Sequence, residues 1–73
     1  MSEYRVVLVP EDDGGFSVSV PALPGCFTQG DTRDEALSMA KEAIALHLES
    51  LREHGEPVPL DHVEVTTVEV SAA

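Results

Sequence analysis

The N-terminal part of the chain alternates between apolar runs and short breaks rich in polar residues, glycine or proline. Residues 3–10 contain an uninterrupted apolar run, which predicts a strand buried on both faces and therefore central in its sheet. The polar, glycine-containing residues 11–15 predict a hairpin turn into a second strand, residues 16–21, whose apolar side chains alternate. After a proline- and glycine-rich turn at 21–25, residues 26–30 predict a short third strand.

A helical pattern follows from about residue 33 to residue 54. Thr32 and Glu35 have the spacing of a capping box, so we predict that the helix begins there. Gly55 is the expected C-terminal cap, and the prolines at 57 and 59 prevent continuation. The apolar face, at about 100° per residue, consists of Ala36, Leu37, Ala40, Ala43, Ile44, His47, Leu48 and Leu51.

Two apolar residues of this helix, Met39 and Leu46, fall beside that face rather than on it. One interpretation is partial burial at the margin of the core. The other is a contact surface for a second subunit. We name these two residues as candidates for self-association.

The C-terminal residues 62–70 are rich in valine and threonine and predict a fourth strand. Its apolar phase changes between Val65 and Val68, which indicates a bulge or a strand shared between two environments. The order β-β-β-α-β in one domain spanning residues 1–73 places the chain in the α+β class. A right-handed crossover beside the first strand predicts the sheet order 3-2-1-4, with the helix on one face.

The size and charge of the chain suggest what it binds. A core built from 73 residues is thin, and the single cysteine excludes an internal disulfide, so we expect self-association into a dimer or tetramer. Fourteen acidic and four basic residues give a net charge of −10, which argues against direct nucleic-acid binding and favours a basic protein partner. The alternative is that the acidity only maintains solubility.

Side chains that could support catalysis or metal binding are scattered. Cys26 beside Phe27 is interpreted as a small core residue, and His47 as a packed residue of the helix face. No zinc-type or phosphate-binding spacing is present, so we predict neither a metal site nor a cofactor. The N-terminus carries no export signal or apolar span, and we expect a soluble cytoplasmic protein without membrane contact.

Several sequence blocks resemble the HicB antitoxin family. They are Leu23-Pro24-Gly25-Cys26, Gly30-Asp31-Thr32 and Lys41-Glu42-Ala43-Ile44, and the similarity continues through Gly55-Glu56-Pro57. The resemblance implies a partial ribonuclease-H-like fold and a role in masking HicA, a small basic RNA-cleaving toxin. Longer members of the family append a DNA-binding domain. Because the first strand lacks the acidic residue that a metal-dependent nuclease would need there, we predict no enzyme activity.

The hypothesis favoured by these observations is a binding module that occludes a basic toxin. Its proposed contacts are Glu11, Asp12 and Asp13 in the first turn, together with Phe27 and Asp31. For the three adjacent carboxylates, the alternative is a solvated turn without a partner. For the whole chain, the alternatives are an orphan self-associating structural domain and a vestigial nuclease.

Overall fold

The computed structural model describes residues 2–72. Three strands precede one helix: β1 (Val7–Pro10), β2 (Phe16–Ser19), β3 (Phe27–Gly30) and α1 (Arg33–Glu53). The strands form an antiparallel sheet in the order β1-β2-β3, as a meander predicts. The α+β class is confirmed, and these four elements lie within residues 3–10, 16–21, 26–30 and 33–54 of the sequence analysis. Within residues 2–72, no helix is long and apolar enough to cross a bilayer.

The two faces of the sheet follow from the register. Leu8 pairs with Val18, which pairs with Thr28, and this row faces α1, since Val18 packs against the helix. The next row, Val7 with Ser19 and Phe27, has the opposite orientation because side chains alternate along a strand. The helix therefore covers one face and leaves the other uncovered.

Both ends of α1 have the capping that the sequence predicts. The hydroxyl of Thr32 accepts a hydrogen bond from the amide of Glu35 at 3.1 Å. At the other end Gly55, at φ +66°, donates to the carbonyl of Arg52 (3.1 Å), and Glu56 donates to that of Leu51 (2.9 Å). This pair of bonds is a Schellman motif, which ends the helix before the prolines.

The core consists of two adjoining clusters. In the first, Val18 packs against Ala36 and Ala40, so small helix residues bring α1 close to the sheet. The second contains Val20, Leu23 and Cys26, which come from the end of β2 and from the connection to β3. The predicted helix face is confirmed, since its larger apolar residues pack at least in part against this second cluster. They are Ile44, Leu48 and Leu51.

The predicted fourth strand is absent from the structure. Residues 62–70 form neither helix nor strand, and the sheet ends at β1. Hence β1 is an edge strand, and the prediction that it is central was wrong. Val7 and Val9 are exposed, because neither a neighbouring strand nor the helix covers their side of the sheet. The apolar pattern of residues 3–10 identified a strand, but it could not identify the strand's neighbours.

Candidate functional site

The uncovered side of the sheet is packed against no other element of residues 2–72. We call it the open face, and its members are Val7, Val9, Ser17, Ser19, Phe27 and Gln29. Phe27 is 71% exposed, although a phenylalanine side chain gains more than most from burial. The open face thus places one large aromatic ring in solvent beside short polar side chains. That combination is typical of a protein-binding surface.

One end of the sheet carries the acidic residues that the sequence suggested. We call Glu11, Asp12, Asp13 and Asp31 the acidic rim. Pairing of Phe16 with Gly30 brings Asp31 beside the first hairpin turn, although the two are distant in sequence. Glu11, Asp13 and Asp31 line one shallow depression. The turn is held by Glu11, whose amide donates to the carbonyl of Gly15 at 2.7 Å.

Asp13 also has a structural role in that turn. Its Oδ1 accepts a hydrogen bond from the amide of Gly15 at 3.0 Å. The side chains of Glu11 and Asp12 are exposed and make none of the hydrogen bonds found within residues 2–72. The acidic rim therefore combines one carboxylate that stabilises the turn with others that form no hydrogen bond within residues 2–72.

Phe27 lies away from the acidic rim, at the other end of β3. It is separated from Gly30 by three positions, or about 10 Å along the strand. The predicted contact residues thus lie at two ends of one sheet rather than in one cluster. They fit an extended surface, apolar at one end and acidic at the other, better than a small-molecule pocket.

Met39 and Leu46 lie on the solvent side of α1. They are 40% and 60% exposed, so in the single chain neither is enclosed by the core. They are seven positions apart, which places them about two turns apart on nearly the same side of the helix. This surface is separate from the open face, because α1 packs against the opposite side of the sheet.

A further group of contacts was not anticipated from the sequence. We call it the clasp: Tyr4 and Arg5 before β1 bind Pro59, Asp61 and Val63 after the helix. The Tyr4 hydroxyl donates to the Pro59 carbonyl at 2.6 Å, and the amide of Arg5 donates to Oδ2 of Asp61 at 2.5 Å. The only signal in the sequence was a lone Arg near one end and a lone Asp near the other.

Within the clasp, hydrogen bonds and a neighbouring positive charge stabilise the ionised carboxylate of Asp61. The backbone amide of Arg5, followed by that of Val63, lowers the pKa of the Asp61 carboxyl below its ordinary value. The Arg5 guanidinium lies 3.4 Å from Oδ1 of Asp61 and also donates to the Val63 carbonyl at 2.6 Å. The side chain of Asp61 is only 7% exposed, so the charged carboxylate is held by several donors at once.

The cysteine and the possible metal ligands within residues 2–72 form no further cluster. Cys26 is buried in the second core cluster, as interpreted from the sequence, and burial raises the pKa of its thiol. Among residues 2–72, no three or more His, Cys, Asp or Glu side chains are arranged to hold a metal ion. The surfaces described above are therefore the candidates for function.

Comparison with known families matches residues 4–72 to one described as the HicB-like antitoxin of bacterial toxin-antitoxin systems. A UPF0150 protein of Thermoplasma acidophilum is 52% identical over 66 residues, which cover 90% of this chain and 96% of that protein. Antitoxin HicB 1 of Photorhabdus laumondii is 44% identical over 68 residues, covering 85% of this chain and 44% of that protein. The chain thus spans nearly the whole of one relative and less than half of the other.

Among solved structures, the N-terminal domain of the Burkholderia pseudomallei antitoxin HicB is similar to this chain. The TM-score is 0.66 with 34% sequence identity, and the match covers 88% of this chain and 69% of that one. The similarity in fold is therefore accompanied by similarity in sequence over most of the chain.

Proposed function

We propose, from the premise that this chain belongs to the HicB-like antitoxin family, that it binds a small basic toxin of the HicA type and masks it by occlusion. The observation that carries this proposal is the family match over residues 4–72. In this role the chain has no catalytic residue, and its action depends only on the surface it covers.

The open face is our choice for the centre of the toxin contact. Binding energy in protein interfaces is concentrated in a few central residues, often aromatic, that lose contact with water. Phe27 is the one large aromatic residue of the open face, and it is mostly exposed in the free chain. Val7, in the same cross-strand row, extends the apolar area beside it.

The acidic rim is our choice for the charged border. With a net charge of −10, the whole surface attracts a basic protein, and the rim adds a local concentration of carboxylates. Charges at the border of an interface act mainly on the rate of association and on its dependence on salt. The rim and the open face therefore have separable effects.

The first test mixes the purified chain with the product of the adjacent gene. We expect light scattering to show a discrete complex, and RNA cleavage by that product to stop when the chain is in excess. Free components together with undiminished cleavage would contradict the proposal.

Two variants then test the surface. Phe27→Ala should weaken the complex at least about 30-fold, the loss expected for a central aromatic contact. Leu60→Ala is the matched control, since Leu60 is also exposed but lies outside the open face. Equal affinities of the two variants for the toxin would show that Phe27 is not part of the contact.

The acidic rim is tested by charge reversal. Glu11→Lys combined with Asp12→Lys leaves intact the hydrogen bond that the Gly15 amide donates to Asp13. This double variant should slow association with the toxin about tenfold at low salt. Glu42→Lys with Glu49→Lys changes the net charge equally on the exposed side of α1. If both pairs slow association to the same extent, net charge rather than the rim is responsible.

Met39 and Leu46 favour the alternative of a self-associating domain without a toxin, and they fit a helix-to-helix contact between copies. An exposed pair of this kind could also assist an antitoxin that acts as a dimer or tetramer. A stable homo-oligomer that binds no basic partner and protects no RNA would favour the orphan domain.

A further inference from the structure

The C-terminal tail, residues 64–72, has the composition of a strand but lies outside the sheet. Val65, Val68 and Val70 are 70%, 81% and 82% exposed. The radius of gyration is 14.4 Å, against about 11 Å for a compact domain of this length. The tail therefore extends from the body and presents β-branched residues to solvent.

The start of the tail is nevertheless fixed. The clasp holds residues 59–63 beside Tyr4 and Arg5, directly before β1. Oδ1 of Asp61 also accepts a hydrogen bond from the amide of Val63 at 3.0 Å, which adds a further contact at the start of the tail. The tail thus starts from a fixed point next to the sheet edge but does not pair with that edge in the same chain.

That edge, the outer side of β1, is open. The amide of Glu11 bonds to Gly15, so by the alternation of an antiparallel ladder Val7 and Val9 also bond toward β2. The backbone groups of Leu8 then point outward, away from the sheet. Arg5 and Pro10 protect the two ends of this edge, but residues 6–9 between them contain no proline or charged residue, so the middle of the edge is open to pairing.

We propose that the tail of one copy adds as a strand to the outer edge of β1 in a second copy, and that the exchange is reciprocal. Each chain offers one strand and one matching edge, so two copies satisfy both and the assembly closes as a dimer. The change in apolar phase between Val65 and Val68 fits a segment that leaves one body and pairs with another. This proposal stands independently of toxin binding.

The test measures dimerisation of the full chain by light scattering over a dilution series. The wild-type mass should be twice 7.8 kDa. Val65→Asp with Val68→Asp should raise the dimer dissociation constant at least about 100-fold, because charges would replace apolar side chains on both faces of the added strand. Circular dichroism should show the body still folded, since the tail is not part of either core cluster.

Ser71→Asp with Ala72→Asp is the matched control, since it adds the same charge beyond the proposed strand, and it should remain dimeric. Amide hydrogen exchange should show protection of Leu8 and residues 64–70 in the wild type and its loss in the valine variant. A monomeric wild type, with or without a protected tail, overturns the proposal. So does a dimer that survives the valine substitutions or that dissociates instead on Met39→Glu with Leu46→Glu.

Discussion

Gly30 lies where β3 meets the first turn of α1, and it leaves no room for a side chain. A Cβ at this position would come within 2.7 Å of the Cα of Ala36 and 2.9 Å of the carbonyl carbon of Glu35, with the amide nitrogen of Ala36 closer still. All three are backbone atoms of the helix, which cannot rotate away. Gly30→Ala must therefore push α1 from the sheet or distort β3.

The cost of this substitution is large for so small a protein. Overpacking of a core costs about 1–3 kcal/mol, and we expect about 3 kcal/mol here because the contacts are with backbone. A chain of 73 residues has a total free energy of unfolding of roughly 4–11 kcal/mol. The melting temperature should fall by about 12–24 °C.

Urea unfolding followed by circular dichroism, at one protein concentration, measures this loss. Gln29 is the exposed residue next to Gly30, and the free energy of unfolding of Gln29→Ala should stay within about 0.5 kcal/mol of the wild-type value. Gly25→Ala provides a second control. At φ +84° with nothing within 4 Å of the added Cβ, it should show only backbone strain, about 1–2 kcal/mol. A Gly30→Ala protein as stable as the Gln29 variant would refute the close-approach argument.

Two further predictions concern titratable groups. Asp61 has a lowered pKa in the folded chain, so its contribution to stability is present above the unfolded-state pKa and is lost as pH falls through the folded-state value. Asp61→Asn should therefore flatten the acid side of a plot of urea midpoint against pH, and an unchanged slope would contradict this. Because burial raises the pKa of Cys26, its thiol should react slowly with an alkylating reagent in the folded protein and quickly in urea. Equal rates in the two conditions would mean that the thiol is accessible.

The elements set by local signals could be predicted from the sequence. Thr32 and Gly55 mark the ends of α1, and the alternation in β2 identifies its buried side. These features depend on residues only a few positions apart in the chain, so the local sequence pattern is enough to predict them.

Features that depend on distant neighbours could not be predicted in the same way. The composition of residues 62–70 favours a β-strand, but it does not determine whether another strand lies within reach to pair with it. The central position assigned to β1 depended on that fourth strand and failed with it. Gly30 was predicted only as the last residue of the third strand, and only the approach of Ala36 explains why a glycine stands there.

The same applies to the candidate site. Glu11 and Asp31 were both proposed as contacts on the basis of charge, and the pairing of Phe16 with Gly30 shows why they are neighbours. The clasp joins residues more than fifty positions apart, and neither Arg5 nor Asp61 belongs to a recognisable motif.

The two connections within the sheet differ in how freely they can change length. The turn between β1 and β2 is exposed, and extra residues there would extend into solvent. The connection between β2 and β3 is itself part of the core, because Leu23 is fully buried between Val20 and Cys26. An insertion there would withdraw Leu23 from the second cluster and remove its packing against the helix. Of these two connections, the acidic turn is therefore the one where we expect a grafted recognition element to be accepted without loss of core packing.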